Sequence, residues 1–371
     1  QRPRPLLFLF IEQFQTIGPK ATENEETPMI IVMQDAATTE QIAAIEKRVR
    51  AEGLETRVLQ GVEKTVIALI GKRPPELAEQ IERMPGVFSA MPIGEPFKLA
   101  ARSEATESSS VKIGDIAIGN GKTTVIGGPC TVETREQLIT TAEHVATAGA
   151  QLLRGGAFKP RSSPYSFQGL GVDGLKLLVD AREATGLPIV TEVLDPRHVE
   201  VVTNHADMLQ IGTRNAQNYV LLREVGACGK PVMLKRGMGN TIDEWLMCAE
   251  YVMASGNPDV VLCERGIRTF ETSSRFTLDL NAIPLLRRRT HLPIVVDPSQ
   301  GTGHWFMVEA LSLAAIAAGA DGIIVEVHPT PDVALIDGQQ SLSLENFTVL
   351  MEKLNPMAAA LGRPTNDPIQ K

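Results

Sequence analysis

Cysteine, net positive charge and long uncharged apolar runs are all in short supply in this 371-residue chain. The four cysteines, Cys130, Cys228, Cys248 and Cys263, show no paired C-x-x-C spacing, and three lie in apolar stretches expected to be buried. That pattern argues against a disulfide scaffold and for a reducing cytoplasm. With 36 basic against 44 acidic residues, a formal balance of −8, the chain as a whole repels polyanions. A nucleic-acid partner is excluded, and any anion site must be local. No stretch reaches the roughly eighteen uncharged apolar residues of a membrane helix, so no membrane partner is expected. Arg2 and Arg4 precede a short apolar run that looks like an export signal, but Glu12 interrupts it and no small-residue cleavage site follows.

Apolar residues make up 43% of the chain and charged residues 22%, the profile of an ordinary globular protein. Its length exceeds what one core usually reaches, so two domains are expected. Residues 1–28 carry no clear periodicity and read as a disordered extension, with Met29 as the natural start. From 29 to 98 the pattern runs strand, helix, strand, strand, helix, strand, the order of a ferredoxin-like α+β unit. Few of its groups suit catalysis, which points to regulation or oligomer assembly. A Ser/Ala/Glu-rich stretch, 99–110, reads as a linker.

From 111 to 371 the pattern is α/β. Eight apolar β-branched runs, at 124–127, 151–154, 188–192, 208–212, 232–235, 260–264, 294–297 and 322–326, alternate with helical periodicity. Eight strand–helix repeats predict a closed (β/α)8 TIM barrel rather than an open sheet, with the hairpin-like 111–118 plugging its bottom.

In such a barrel the reactive groups project from the C-terminal strand ends. Those ends carry Cys130, Arg154, Lys159, Arg161 with Ser162 and Ser163, Glu192, Arg214, Lys235 with Arg236, Glu264 with Arg265, Asp297 with Gln300, and Glu326 with His328. One of these in a structural salt bridge would be unremarkable, but so many cations gathering at one mouth point to a small substrate bearing phosphate or carboxylate. Cys130, Glu326 and Asp337 offer one soft and two hard metal ligands, although a lone cysteine is more often a packed thiol. His144, His198, His205 and His291 fall in helices or connections and read as surface or capping residues. His304 and His328 lie near the mouth.

The motifs Gly127-Gly128-Pro129-Cys130, Leu153 to Pro164 with its Lys159-Pro160-Arg161-Ser162-Ser163-Pro164 loop, Gln210 to Asn215, Leu234-Lys235-Arg236-Gly237, Cys263-Glu264-Arg265-Gly266 and Val325 to Pro329 resemble those of the 3-deoxy-D-arabino-heptulosonate 7-phosphate (DAHP) synthases. The likeness runs from about 111 to 354. The 29–98 unit resembles the regulatory module of the subgroup that aromatic amino acids inhibit. The resemblance implies condensation of phosphoenolpyruvate with erythrose 4-phosphate, the first step of the shikimate pathway, in a cytoplasmic homotetramer. Arg154, Lys159, Arg214, Lys235 and Arg265 would hold phosphoenolpyruvate near Glu192, and Arg161, Ser162 and Ser163 would clamp the sugar phosphate. Cys130, Lys159 and Glu192 would serve the chemistry. Lys159, crowded by cations, is expected to have a lowered pKa and to donate a proton.

One departure bears on the metal. The family closes an Asp-Pro-Ser-His motif with a histidine ligand, and here the motif reads Asp297-Pro298-Ser299-Gln300. Glutamine is the poorer ligand for transition metals, which predicts a weakened divalent site, Mn2+ or similar, on Cys130, Glu326, Asp337 and Gln300. Two other outcomes stay open: His304 filling the vacancy, or a dispensable metal. The rival functions are a related phosphoenolpyruvate–aldose phosphate synthase and a catalytically silent barrel that senses an amino acid.

Overall fold

The computed structural model describes residues 29–34, 36–60, 65–70, 77–92, 97–102, 107–160 and 163–367. The chain divides between Pro96 and Phe97 into two compact units. The extension expected over 1–28 lies outside the described residues.

In the first unit, β1 (Met29–Met33), β2 (Glu55–Gln60), β3 (Thr65–Ile70) and β4 (Val87–Pro92) form an antiparallel sheet in the order β2–β3–β1–β4. Successive strand side chains face opposite ways, so Met29, Ile31 and Met33 of β1 and Ile67 and Leu69 of β3 share one buried cluster. Ile45 and Val49 of helix Thr39–Arg50 and Ile81 of helix Leu77–Glu82 complete it. Thr38 and Gln41 cap the longer helix reciprocally, which satisfies two of its free N–H groups. The element order is the expected ferredoxin-like one.

The second unit opens with a hairpin of β5 (Val111–Ile113) and β6 (Ile116–Ile118). Eight parallel strands follow: β7 (Thr124–Gly128), β8 (Leu152–Arg154), β9 (Ile189–Glu192), β10 (Met208–Ile211), β11 (Val232–Lys235), β12 (Val260–Glu264), β13 (Ile294–Val296) and β14 (Gly322–Glu326). β14 pairs with β7 in register from Gly322 with Thr124 to Glu326 with Gly128, and this pairing closes the barrel. Alternation then sorts each strand. Ile126, Leu152, Val190, Met208, Met233, Val261, Val295 and Ile324 pack with the hairpin's Val111, Ile113, Ile116 and Ile118. Val125, Leu153, Ile189, Leu209, Leu234, Leu262, Val296 and Ile323 belong instead to a separate cluster with the surrounding helices. No helix among the described residues is long and apolar enough to cross a membrane.

Phe97 and Ala100 are buried within the barrel's outer cluster, and Arg102 and Ser109 donate backbone hydrogen bonds to Arg289 and His291, so the described residues on either side of 103–106 pack along the barrel. One expectation needs correction. His291 is buried rather than superficial. Its Nδ1 lies 2.7 Å from Ser109 Oγ and its Nε2 2.6 Å from the Leu99 carbonyl, which ties the same segment down.

Candidate active site

Parallel strands end together, so the residues that finish them share one mouth. Arg154, Lys159, Ser163, Glu192, Arg214, Lys235 and Arg265 all line a single cleft of about 290 Å3 there. Arg154, Glu192, Lys235 and Arg265 are buried, Lys159 is partly so, and Arg214 is exposed. Arg161 and Ser162 lie outside the described residues. Neighbours in sequence part company at β11: Lys235 enters the cleft and pairs with buried Asp297, while Arg236 turns away to Glu264 and Asp279, each at 2.9 Å.

The grip on each cation comes from the strand ends. Arg154 donates through Nε to the Pro129 carbonyl at 3.2 Å and through its second amino group to the Cys130 carbonyl at 3.3 Å, and it meets Glu326 at 3.2 Å. Lys159 Nζ donates to the Cys130 carbonyl at 3.0 Å. Arg265 lies over the Phe276 ring at 4.0 Å and donates to the Gly266 carbonyl at 3.1 Å and Gln300 Oε1 at 3.4 Å. Nη1 of Arg154 and Nε of Arg265 are buried with no hydrogen-bond partner. Buried cationic donors left open are unfavourable, and an anion in the cleft would satisfy them. Two glycines permit these close approaches. A Cβ on Gly128, at φ 147°, would lie 2.1 Å from the Arg154 carbonyl, and one on Gly212 would lie 1.8 Å from Glu192 Oε1.

The Lys159 pKa runs opposite to the expectation. Burial and Arg154 push the ammonium down, but Cys130, Glu192 and Glu326 push it up further, so it stays above its usual value. Cys130 and then the carboxylates of Glu192 and Glu326, none of them visible in a count of nearby cations, decide the sign. Burial, reinforced by Glu326 and Asp337, pushes the Cys130 thiol well above the ordinary cysteine range.

A model of the DAHP synthetase I family matches residues 98–361, and a model of the DAHP synthase ferredoxin-like domain matches 29–95. The chain belongs to the DAHP synthetase I family. It is 47% identical over 338 residues to the phospho-2-dehydro-3-deoxyheptonate aldolase of Thermotoga maritima, a span of 91% of this chain and 100% of the relative. The solved structure of a Thermotoga maritima enzyme of that name superposes with a TM-score of 0.88 at 47% identity, covering 92% of this chain and 100% of that one. A 2-dehydro-3-deoxyphosphooctonate aldolase from Syntrophobacter fumaroxidans is more distant, 34% identical over 64% of this chain and 88% of its own. Family membership makes the chain a 3-deoxy-7-phosphoheptulonate synthase, a transferase.

DAHP synthases are generally metal-dependent, and the expected ligands can be tested against the fold. Cys130, Glu326 and Asp337 each present a donor atom within 4.8 Å of the others. Asp337 is the one non-glycine at positive φ among the described residues, at 56°, a backbone conformation that is kept where its surroundings hold it. Those three offer donor atoms to a divalent ion, but the fourth position does not. Gln300 lies beside them, but its Nε2 donates to Glu326 Oε1 at 2.9 Å and to Asp337 Oδ2 at 3.3 Å. His304 does not fill the position. Its Nδ1 lies 3.0 Å from Gln339 Nε2, its ring stacks on Phe306, and it lines an adjoining recess that shares Arg275 and Asp337 with the cleft. His328 is not in the cleft. It accepts from the Thr330 amide through Nδ1 and has Nε2 3.5 Å from Glu133.

Sequence reasoning missed Arg275 and Phe276, which also line the cleft. Both sit far past the end of β12, and an antiparallel pairing of Ile267 with Thr277 folds their loop back. No spacing rule signals that return.

Proposed function

We propose that the chain joins phosphoenolpyruvate to erythrose 4-phosphate, forming DAHP and inorganic phosphate as the entry step of the shikimate pathway. The observation that carries the reading is the shared cleft, lined among the described residues by six cations, two of them holding buried donors with no protein partner. Arg154, Lys159, Arg214, Lys235 and Arg265 hold phosphoenolpyruvate, Ser163 with Arg161 and Ser162 holds the sugar phosphate, and Glu192 sits beside the reacting carbons. Holding both reactants turns a bimolecular encounter into a positioned one. The enol carbon bonds to the aldehyde carbon, the aldehyde oxygen takes a proton, and water supplies the oxygen that replaces the departing phosphate. Lys159, whose environment keeps it protonated, donates that proton. A divalent ion such as Mn2+, if it bound, would take Cys130, Glu326 and Asp337 as ligands, and only by displacing the Gln300 amide from both carboxylates. When bound, it would supply Lewis-acid polarisation of the aldehyde.

Mixing the two substrates with the protein and measuring released phosphate tests the reading. Release only with another aldose phosphate would transfer the assignment to a related synthase, and no release at all would favour a silent sensing barrel. We further propose that the ferredoxin-like unit binds an aromatic amino acid and that the protein works as a cytoplasmic homotetramer. A chain beginning at Phe97, which keeps that buried ring in the barrel, should retain turnover and lose inhibition by tyrosine or phenylalanine. Inhibition that survives the truncation contradicts the proposal.

A further inference from the structure

We infer that Gln300 is a built-in hydrogen-bonding cross-link that stands in place of a resident ion, so that the condensation proceeds with no bound metal. The inference rests on the synthase reading above. Gln300 Nε2 faces Glu326 Oε1 at 2.9 Å and Asp337 Oδ2 at 3.3 Å, while Oε1 accepts from Arg265 at 3.4 Å. Turning the amide over would set its oxygen against two carboxylate oxygens and its NH2 against a guanidinium that can only donate. The network therefore admits one orientation, in which the carbonyl oxygen, the atom that could ligate a cation, is engaged by Arg265.

The rest of the cluster is satisfied in the same way. Glu326 Oε1 also meets Arg154 at 3.2 Å, and Oε2 accepts from buried Gln340 at 2.7 Å. Gln340 in turn accepts from Arg275 at 2.7 Å, and Arg275 pairs with Asp337 Oδ1 at 3.2 Å. All four carboxylate oxygens thus have an N–H partner from the protein, and two guanidinium groups offset the two negative charges. An ion entering between Glu326 and Asp337 would displace Gln300 from both and leave its amide to turn against Arg265. An imidazole at this position would offer a lone pair; the glutamine offers donors. The cross-link also joins the carboxylate pair to Arg265, so it positions one of the proposed phosphoenolpyruvate-holding groups. Polarisation of the aldehyde then falls to the N–H donors of the cleft.

The test uses the full chain, stripped by chelator and dialysis until elemental analysis finds no stoichiometric metal. Stripped protein should release phosphate from the two substrates at a rate within about twofold of the untreated rate. Titration with Co2+ should produce no thiolate-to-cobalt charge-transfer absorption. In Gln300→His the absorption should appear, and stripping should lower turnover at least about tenfold, reversibly with Mn2+. Turnover of the unaltered protein that vanishes on stripping and returns with Mn2+ would overturn the inference and leave the synthase reading intact. A stoichiometric cobalt–thiolate band in the unaltered protein would overturn it as well. Phosphate release under no condition would remove the synthase reading, and the cobalt titration, which needs no variant to fold, would still decide for or against the cross-link.

Discussion

At the end of the barrel where the strands begin, Ile113, Ile116 and Ile118 of the hairpin pack on Ile126, Leu152, Met208, Met233 and Val295; where the same strands finish, they deliver Arg154, Glu192, Lys235, Glu264 and Glu326. Only a few residues separate the two chemistries along any strand. At the apolar end the charged groups that flank the strands, such as Asp207 with Arg182 and Asp321 with Arg287, are paired with one another, and the interior packing needs only shape complementarity. The polar end is a set of buried charges, each held by a partner or left open for a ligand. A parallel barrel keeps these demands apart because every strand points the same way, so stability and chemistry can be varied almost independently.

That separation can be broken or sharpened by mutation. The largest effect belongs to Lys159→Met, which should lower turnover by about 10²- to 10⁴-fold, the usual contribution of a positioned proton donor, and leave the melting temperature little changed. Near-normal turnover in that variant would remove the proton-donor role. Next comes Ile113→Ala at the opposite end. Emptying a fully buried site there should destabilise the barrel by about 2–4 kcal/mol in denaturant unfolding, with kcat and KM unaltered in the folded fraction. A fall in kcat instead would mean the two ends are coupled. The smallest effect is expected of Phe276→Leu, which removes the ring under Arg265. The loss of a cation–π contact of about 0.5–2 kcal/mol should raise KM for phosphoenolpyruvate from twofold to about thirtyfold and leave kcat nearly unchanged. An unchanged KM would show that Gly266 and Gln300 hold the guanidinium without it.

Much of this was legible beforehand. The eight strands announced themselves as β-branched runs because burial on both faces leaves no room for polar residues, and the ferredoxin-like order followed from the same periodicities. The cations of the cleft stood at strand ends, where the fold class directs attention. Other features were beyond reach. Arg275 and Phe276 belong to a loop that returns by a long-range pairing. Lys235 and Arg236 are adjacent and chemically alike, yet only one enters the cleft. Lys159 was expected to lose proton affinity because its cationic neighbours are near in motif order, whereas Cys130 and the carboxylates that raise it come from other strands.

By itself, then, the order of residues determined the two units, the barrel, the family and the substitution of glutamine for histidine at position 300, because periodicity and motif spacing are local properties of a chain. Only the tertiary structure decided which way the Gln300 amide points, which carboxylates it joins and how Lys159 holds its proton. Those are sums of charge and hydrogen-bond direction over groups drawn from distant strands, and they exist only once the strands have been brought to one mouth.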